Sequence, residues 1–159
     1  MRVVSLLPSA TETLCHIGGE SLLVGRSHEC DHPAGGLADL PVLTAQRTRG
    51  TTSLEIDQEV RDTLDTQNSL YRLDVELLES LEPDVILTQD LCDVCSIDLE
   101  AVRAAAAGFQ KTPRIVNLDP KTIFDVFDDL LKVGEAVDMK SRSEDAMVAL
   151  RARYWEASQ

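Results

Sequence analysis

The sequence predicts an α/β fold, a Rossmann-like parallel sheet of about four strands flanked by helices. Three observations predict it. Short apolar runs recur at residues 3–7, 21–24, 85–88 and 114–118, with helical patterns between them. The run Val85-Ile86-Leu87-Thr88 shows no polar alternation, the mark of a strand covered on both faces, as in parallel sheets. Polar and thiol side chains crowd where several of these runs stop, and open α/β sheets bind ligands beyond the carboxyl ends of their strands.

The elements follow in order. The strand at 3–7 runs into Ser9-Ala10-Thr11-Glu12, which has the spacing of a capping box. The helix it would start passes Leu14 and Ile17 and stops at Gly18-Gly19. His16 on that helix reads as a packing residue. A second strand at 21–24 exits through Gly25-Arg26-Ser27-His28-Glu29-Cys30-Asp31-His32-Pro33. A third is expected at 41–44, then a polar loop over 45–53 and an acidic amphipathic helix over 56–64. Val75, Leu77, Leu78 and Leu81 mark a helix that delivers the chain into the strand at 85–88. That strand ends in Gln89-Asp90-Leu91-Cys92-Asp93-Val94-Cys95. A helix over 97–107 with an Ala-rich face and a last strand at 114–118 complete the sheet. From Thr122, Ile123, Phe127, Leu130, Gly134 and Val137 recur at helical spacing, and residues 138–140 break the pattern. Ser141 to Glu144 offers a second capping box, and Met147, Leu150 and Tyr154 form the final stripe.

At 159 residues the chain suits one domain with a sizeable core. Its formal charge of −13 excludes a nucleic-acid partner, which needs a basic face. Residues 51–100 hold 14 Asp or Glu against two Arg, so one segment carries almost all the excess. That segment reads as a solvated acidic surface or as a docking face for a basic partner. No run is long enough to span a bilayer, and the apolar start is too short for a signal-peptide core. The expectation is a cytoplasmic chain, or a periplasmic or extracellular one whose export signal has been removed.

His28-Glu29-Cys30-Asp31-His32 matches the zinc-peptidase pattern H-E-x-x-H, with Glu29 as general base. Gly25, Pro33 and Gly35-Gly36 leave no room for the helix that pattern needs, so a zinc hydrolase ranks third. Cys92 and Cys95 have redox-type C-x-x-C spacing, and Cys30, His28 or His32 could join them around a metal. A metal-binding or thiol-redox protein is the alternative reading. The sequence lacks G-x-G-x-x-G, P-loop and G-x-S-x-G signatures, which favours binding over catalysis.

Three stretches, RVVSLLPSATE, LVGRSHECDHP and LESLEPDVILTQDLCDVC, together resemble the N-terminal lobe of vitamin B12-binding proteins. These are substrate-binding proteins of ABC importers, of the class with a rigid helix between two lobes. The resemblance covers essentially the whole chain. It implies an α/β lobe over 1–121 and, over 122–159, a backbone helix region leading towards a second lobe. It implies non-enzymatic binding of cobalamin or a related metal chelate between lobes. The ligand-facing positions it implies are Pro8, Ser9, Ala10 and Thr11, then Ser27, His28 and Glu29, then Gln89, Asp90 and Leu91. It also implies that Glu76 docks on a membrane subunit of an ABC transporter. With no partner for Met147, Leu150 and Tyr154, that stripe is expected to be exposed or to self-associate.

Overall fold

A computed structural model describes residues 1–47, 51–66, 70–89 and 99–159, with the backbone alone for 62–66. Six strands and six α-helices are found among them. In chain order they are β1 (Val3–Ser5), α1 (Pro8–His16), β2 (Leu23–Arg26), β3 (Thr44–Gln46), α2 (Ser53–Thr66) and β4 (Tyr71–Leu73). There follow α3 (Val75–Ser80), β5 (Val85–Gln89), α4 (Leu99–Ala107), β6 (Arg114–Leu118), α5 (Ile123–Ala136) and α6 (Lys140–Ala157).

Four strands form a wholly parallel sheet in the order β2-β1-β5-β6. The chain moves outward from β1 to β2, then returns to the far side of β1 as β5. The order therefore reverses between β1 and β5, and such switch points are where α/β sheets open a crevice for ligands. β3 and β4 form a separate antiparallel pair, with Thr44 opposite Leu73 and Gln46 opposite Tyr71. It sits beside β2, where Val42 bridges to Arg26 and the Leu43 amide donates to the Arg26 carbonyl at 2.9 Å. The strand expected at 41–44 is thus a single bridge followed by β3, and β4 is an addition.

Alternate residues of each strand feed opposite faces. Val3, Val85, Leu87 and Val116 join Leu14 of α1 and Leu130 and Val133 of α5 in one core. Val4 and Ile86 join Leu78 of α3 and Val102 and Ala106 of α4 in another. Covering on both faces is what the unalternating run at 85–88 demands. β6 matches its expected bounds, whereas β2 lies two residues later than expected because a 3-10 turn occupies Glu20–Leu22.

Two expected caps are corrected. α1 starts at Pro8, with Leu7 as N-cap and no side-chain cap, so Ser9 sits inside the first turn. Proline has no N–H to orphan there and its fixed φ suits N1, which sets the start ahead of the Ser9–Glu12 box. α6 starts at Lys140 behind an uncapped Met139, so Ser141 is also inside its helix. The tight turn from α5 decides that start: Asp138 has φ 59° and the Met139 amide donates to the Gly134 carbonyl at 2.7 Å. Reciprocal capping exchanges do form at α2, between Thr52 and Glu55, and at α5, between Thr122 and Asp125.

α5 and α6 pack as an antiparallel pair, and Gly134 lets them meet because a Cβ there would strike the buried Ser143 side chain. Met147 and Leu150 pack partly buried on the first core, and Tyr154 meets Phe124 and Phe127 edge-on at 5.9 and 6.0 Å. The final stripe is therefore covered within the chain, and an open stripe free for self-association is not what the structure holds. Phe124 and Trp155 beside it remain 45% and 51% exposed.

Candidate ligand-binding site at the carboxyl edge of the sheet

β1, β2 and β5 run parallel, so the residues that follow them share one edge. Pro8 and Ser9 open α1 directly beyond β1, His28 lies two residues past β2, and Gln89 ends β5. Ser9 follows β1 and Gln89 ends β5, the two strands that flank the switch point. The first-turn amides of α1 point at the same edge, where they can meet an anionic or carbonyl-bearing group.

Burial divides the expected ligand-facing residues. Ser9 and Glu29 are exposed, and Pro8, His28 and Gln89 are half-buried. Ala10 and Thr11 have no accessible surface and Ser27 has almost none, so the side chains of these three have no free surface to offer a ligand. Asp90, Leu91, Cys92 and Cys95 lie outside the described residues, as does any contact between Cys30 and the C-x-x-C pair.

The loop after β2 is fastened from within. The Arg26 guanidinium donates through Nε to the Leu37 carbonyl at 2.8 Å, and through Nη1 to those of Ser27 and Cys30 at 3.1 and 3.0 Å. Cys30 is 1% exposed, with its Sγ 3.0 Å from Thr11 Oγ1 and 3.1 Å from Ser27 Oγ. A thiol so enclosed fills the core and offers nothing to a metal at the edge. His28 and Glu29 stand in a turn, not a helix, which removes the zinc-hydrolase geometry. Among the described residues, no group of three or more His, Cys, Asp or Glu is arranged to hold a metal ion.

His28 is held in a setting that sequence reasoning missed. Its backbone amide donates to Thr44 Oγ1 at 3.0 Å, and its ring Nδ1 lies 2.6 Å from the same oxygen. The ring packs tilted on Tyr71, with centroids 5.4 Å apart, and Nε2 lies 3.6 Å from Glu29 Oε1. Thr44 and Tyr71 belong to the β3–β4 pair, so that small sheet serves as the wall behind His28.

A separate cleft of about 490 Å³ runs along α1, lined by Glu12, Cys15, His16, His32, Val126 and Leu130 among others. His16 is exposed there, a correction to its reading as a packing residue. Burial, with a smaller contribution from Glu20, pushes the Cys15 thiol up from its ordinary 9.0 to about 11. It is a thiol and not a thiolate at neutral pH. Glu76 is exposed in the first turn of α3, behind the N-cap Asp74, whose carboxylate accepts from the Leu77 amide at 3.0 Å.

This fold recurs in known structures. The chain is similar to a periplasmic heme-binding protein of Pseudomonas aeruginosa (TM-score 0.69, 23% identity, 99% of this chain and 45% of that one). It is similar to the periplasmic vitamin B12-binding protein BtuF of Vibrio cholerae (TM-score 0.69, 19% identity, 98% and 48%). It is also similar to the periplasmic heme-binding protein RhuT of Roseiflexus sp. RS-1 (TM-score 0.67, 21% identity, 96% and 46%). The chain spans about half the length of the structures it matches. No family model and no curated protein matches the sequence. The parallel sheet and its helices are the fold of substrate-binding proteins of this kind.

Proposed function

We propose that this chain is one lobe of an ABC-type substrate-binding protein and binds a tetrapyrrole-type ligand, cobalamin first, without catalysis. The observation that carries the reading is the convergence of Ser9, His28 and Gln89 on one sheet edge around the β1/β5 switch point. Solved proteins of the same fold are named for binding heme or vitamin B12. The match of SLLPSATE, GRSHECD and TQDLCDVC favours the cobalamin-binding lobe over its heme counterparts.

In this reading the lobe's core is residues 1–121, and 122–159 leads towards the second lobe. Ser9, His28, Glu29 and Gln89 meet the ligand, with Pro8 shaping the first turn. Asp90 and Leu91, the next two residues in the sequence, are assigned to ligand contact with them. Glu76 docks on the membrane subunit, within the acidic segment. The site of action is periplasmic, the setting named for the similar structures.

Titration of the protein with cyanocobalamin and, separately, hemin tests the proposal, followed by absorbance and calorimetry. Saturable binding of either, weakened at least ~10-fold, about 1.4 kcal/mol, by Gln89→Ala together with His28→Ala, is the expected result. No binding of either ligand, or binding indifferent to both substitutions, overturns it.

A further inference from the structure

The polar hydrogens shared between His28 and Thr44 can be followed to their acceptors. Thr44 is 5% exposed, so its hydroxyl proton needs a partner inside the protein. The Thr44 oxygen already accepts from the His28 amide at 3.0 Å. The only acceptor recorded within bonding reach of that hydroxyl, among the described residues, is His28 Nδ1 at 2.6 Å. If Nδ1 carried the proton instead, the oxygen would accept twice and a buried hydroxyl hydrogen would have nowhere to go. The opposite nitrogen agrees. Nε2 has less than 1 Å² of accessible area and, among the described residues, no hydrogen-bond partner, and the Glu29 carboxylate lies 3.6 Å from it. A lone pair aimed at a carboxylate is repelled, whereas an N–H is attracted.

We propose that Thr44 is a positioning residue that holds His28 with its proton on Nε2, making His28 a donor to ligand oxygens and not a ligand to the metal. The proposal rests on the carboxyl edge being the ligand face. Coordination through Nε2 would require the proton to move to Nδ1, since a ring nitrogen bearing hydrogen has no lone pair to give. That move would orphan the Thr44 hydroxyl proton. The ligand chemistry His28 suits is therefore a carboxylate or carboxamide oxygen, reached when the exposed Glu29 side chain swings aside. Tetrapyrrole rings carry such groups at their edges.

The tautomer can be read without any ligand. In mildly alkaline buffer, long-range 1H–15N spectra of the whole chain show three imidazoles, for His16, His28 and His32, and His28→Ala assigns the relevant one. The expected pattern is protonated Nε2 and a hydrogen-bonded, unprotonated Nδ1. Thr44→Val should lose that Nδ1 signature and Thr44→Ser should restore it. An Nδ1–H tautomer in the native chain, or a signature untouched by Thr44→Val, overturns the proposal. Hemin gives the second readout: its iron absorption band should be the same in the native chain and in His28→Ala, while affinity falls about tenfold. A band that changes with His28→Ala shows coordination and also overturns it. Failure to bind hemin or cyanocobalamin with the tautomer as expected would remove the proposed function and leave the role of Thr44 standing.

Discussion

Asp129 shows how one side chain can work against the fold that holds it. It is 4% exposed on α5, and burial raises its carboxyl above the ordinary range, opposed by a bond from Lys132 Nζ at 2.7 Å. A raised carboxyl in the folded chain means that the native state binds the proton more tightly than the unfolded one. Stability contributed by this residue therefore falls as pH rises from the ordinary carboxylate value through the raised one. Asp129→Asn keeps the shape and an acceptor for Lys132 and removes the buried charge. It should raise the melting temperature at neutral pH, and its advantage should shrink on acidification through that window, as thermal denaturation at several pH values would show. Cys15 gives a chemical counterpart. With its thiol pushed up to about 11, its thiolate fraction near neutrality is about 100-fold below that of a thiol at 9.0. Iodoacetamide labelling followed by peptide mass spectrometry should find Cys15 modified about 100-fold more slowly in the native chain than in urea.

Among the elements, α5 depends most visibly on its start. Thr122 Oγ1 accepts from the Asp125 amide at 3.3 Å, and Asp125 Oδ2 accepts from the Thr122 amide at 2.7 Å. Thr122→Ala removes one half of that exchange and should cost about 1 kcal/mol in urea denaturation, with the slope of the transition unchanged. The Thr-x-x-Asp spacing was visible in the sequence, yet Ser9 and Ser141 carried the fuller Ser-x-x-Glu signature and neither is a cap. Local pattern lost to Pro8 in one case and to the α5–α6 turn in the other. β5 was legible because Val85-Ile86-Leu87 is a continuous apolar run, whereas β4 has only Tyr71-Arg72-Leu73 and takes its order from Thr44–Gln46. The same distance limit applied to the site. Ser9, His28 and Gln89 stood out because each follows an apolar run. The hold of Thr44 on His28 spans 16 residues and depends on the loop that Arg26 fastens, which no local pattern encodes.

At the scale of the whole molecule, a single sheet separates two cores, and each strand serves both. Leu14 is fully buried on the α1 and α5 side, and Ile86 is fully buried on the α3 and α4 side. Leu14→Ala leaves a cavity and should cost about 2–5 kcal/mol, while Ile86→Val removes one methylene and should cost about 0.5–1.5 kcal/mol. The two side chains belong to different cores, so removing one should not let the other collapse into the gap. Their costs should then add in the double variant to within about 0.5 kcal/mol. The shared sheet makes a second demand. Neither core can open without exposing strands that the other also covers, so both should melt in one transition. Urea denaturation followed by tryptophan fluorescence, which reports Trp155 on α6, and by far-ultraviolet circular dichroism, which reports all helices, would test both points. Coincident curves and additive losses are expected. Separate transitions would mean that one core can open while the other stays closed, and a coupling well above about 0.5 kcal/mol would mean that the sheet does not insulate its two faces.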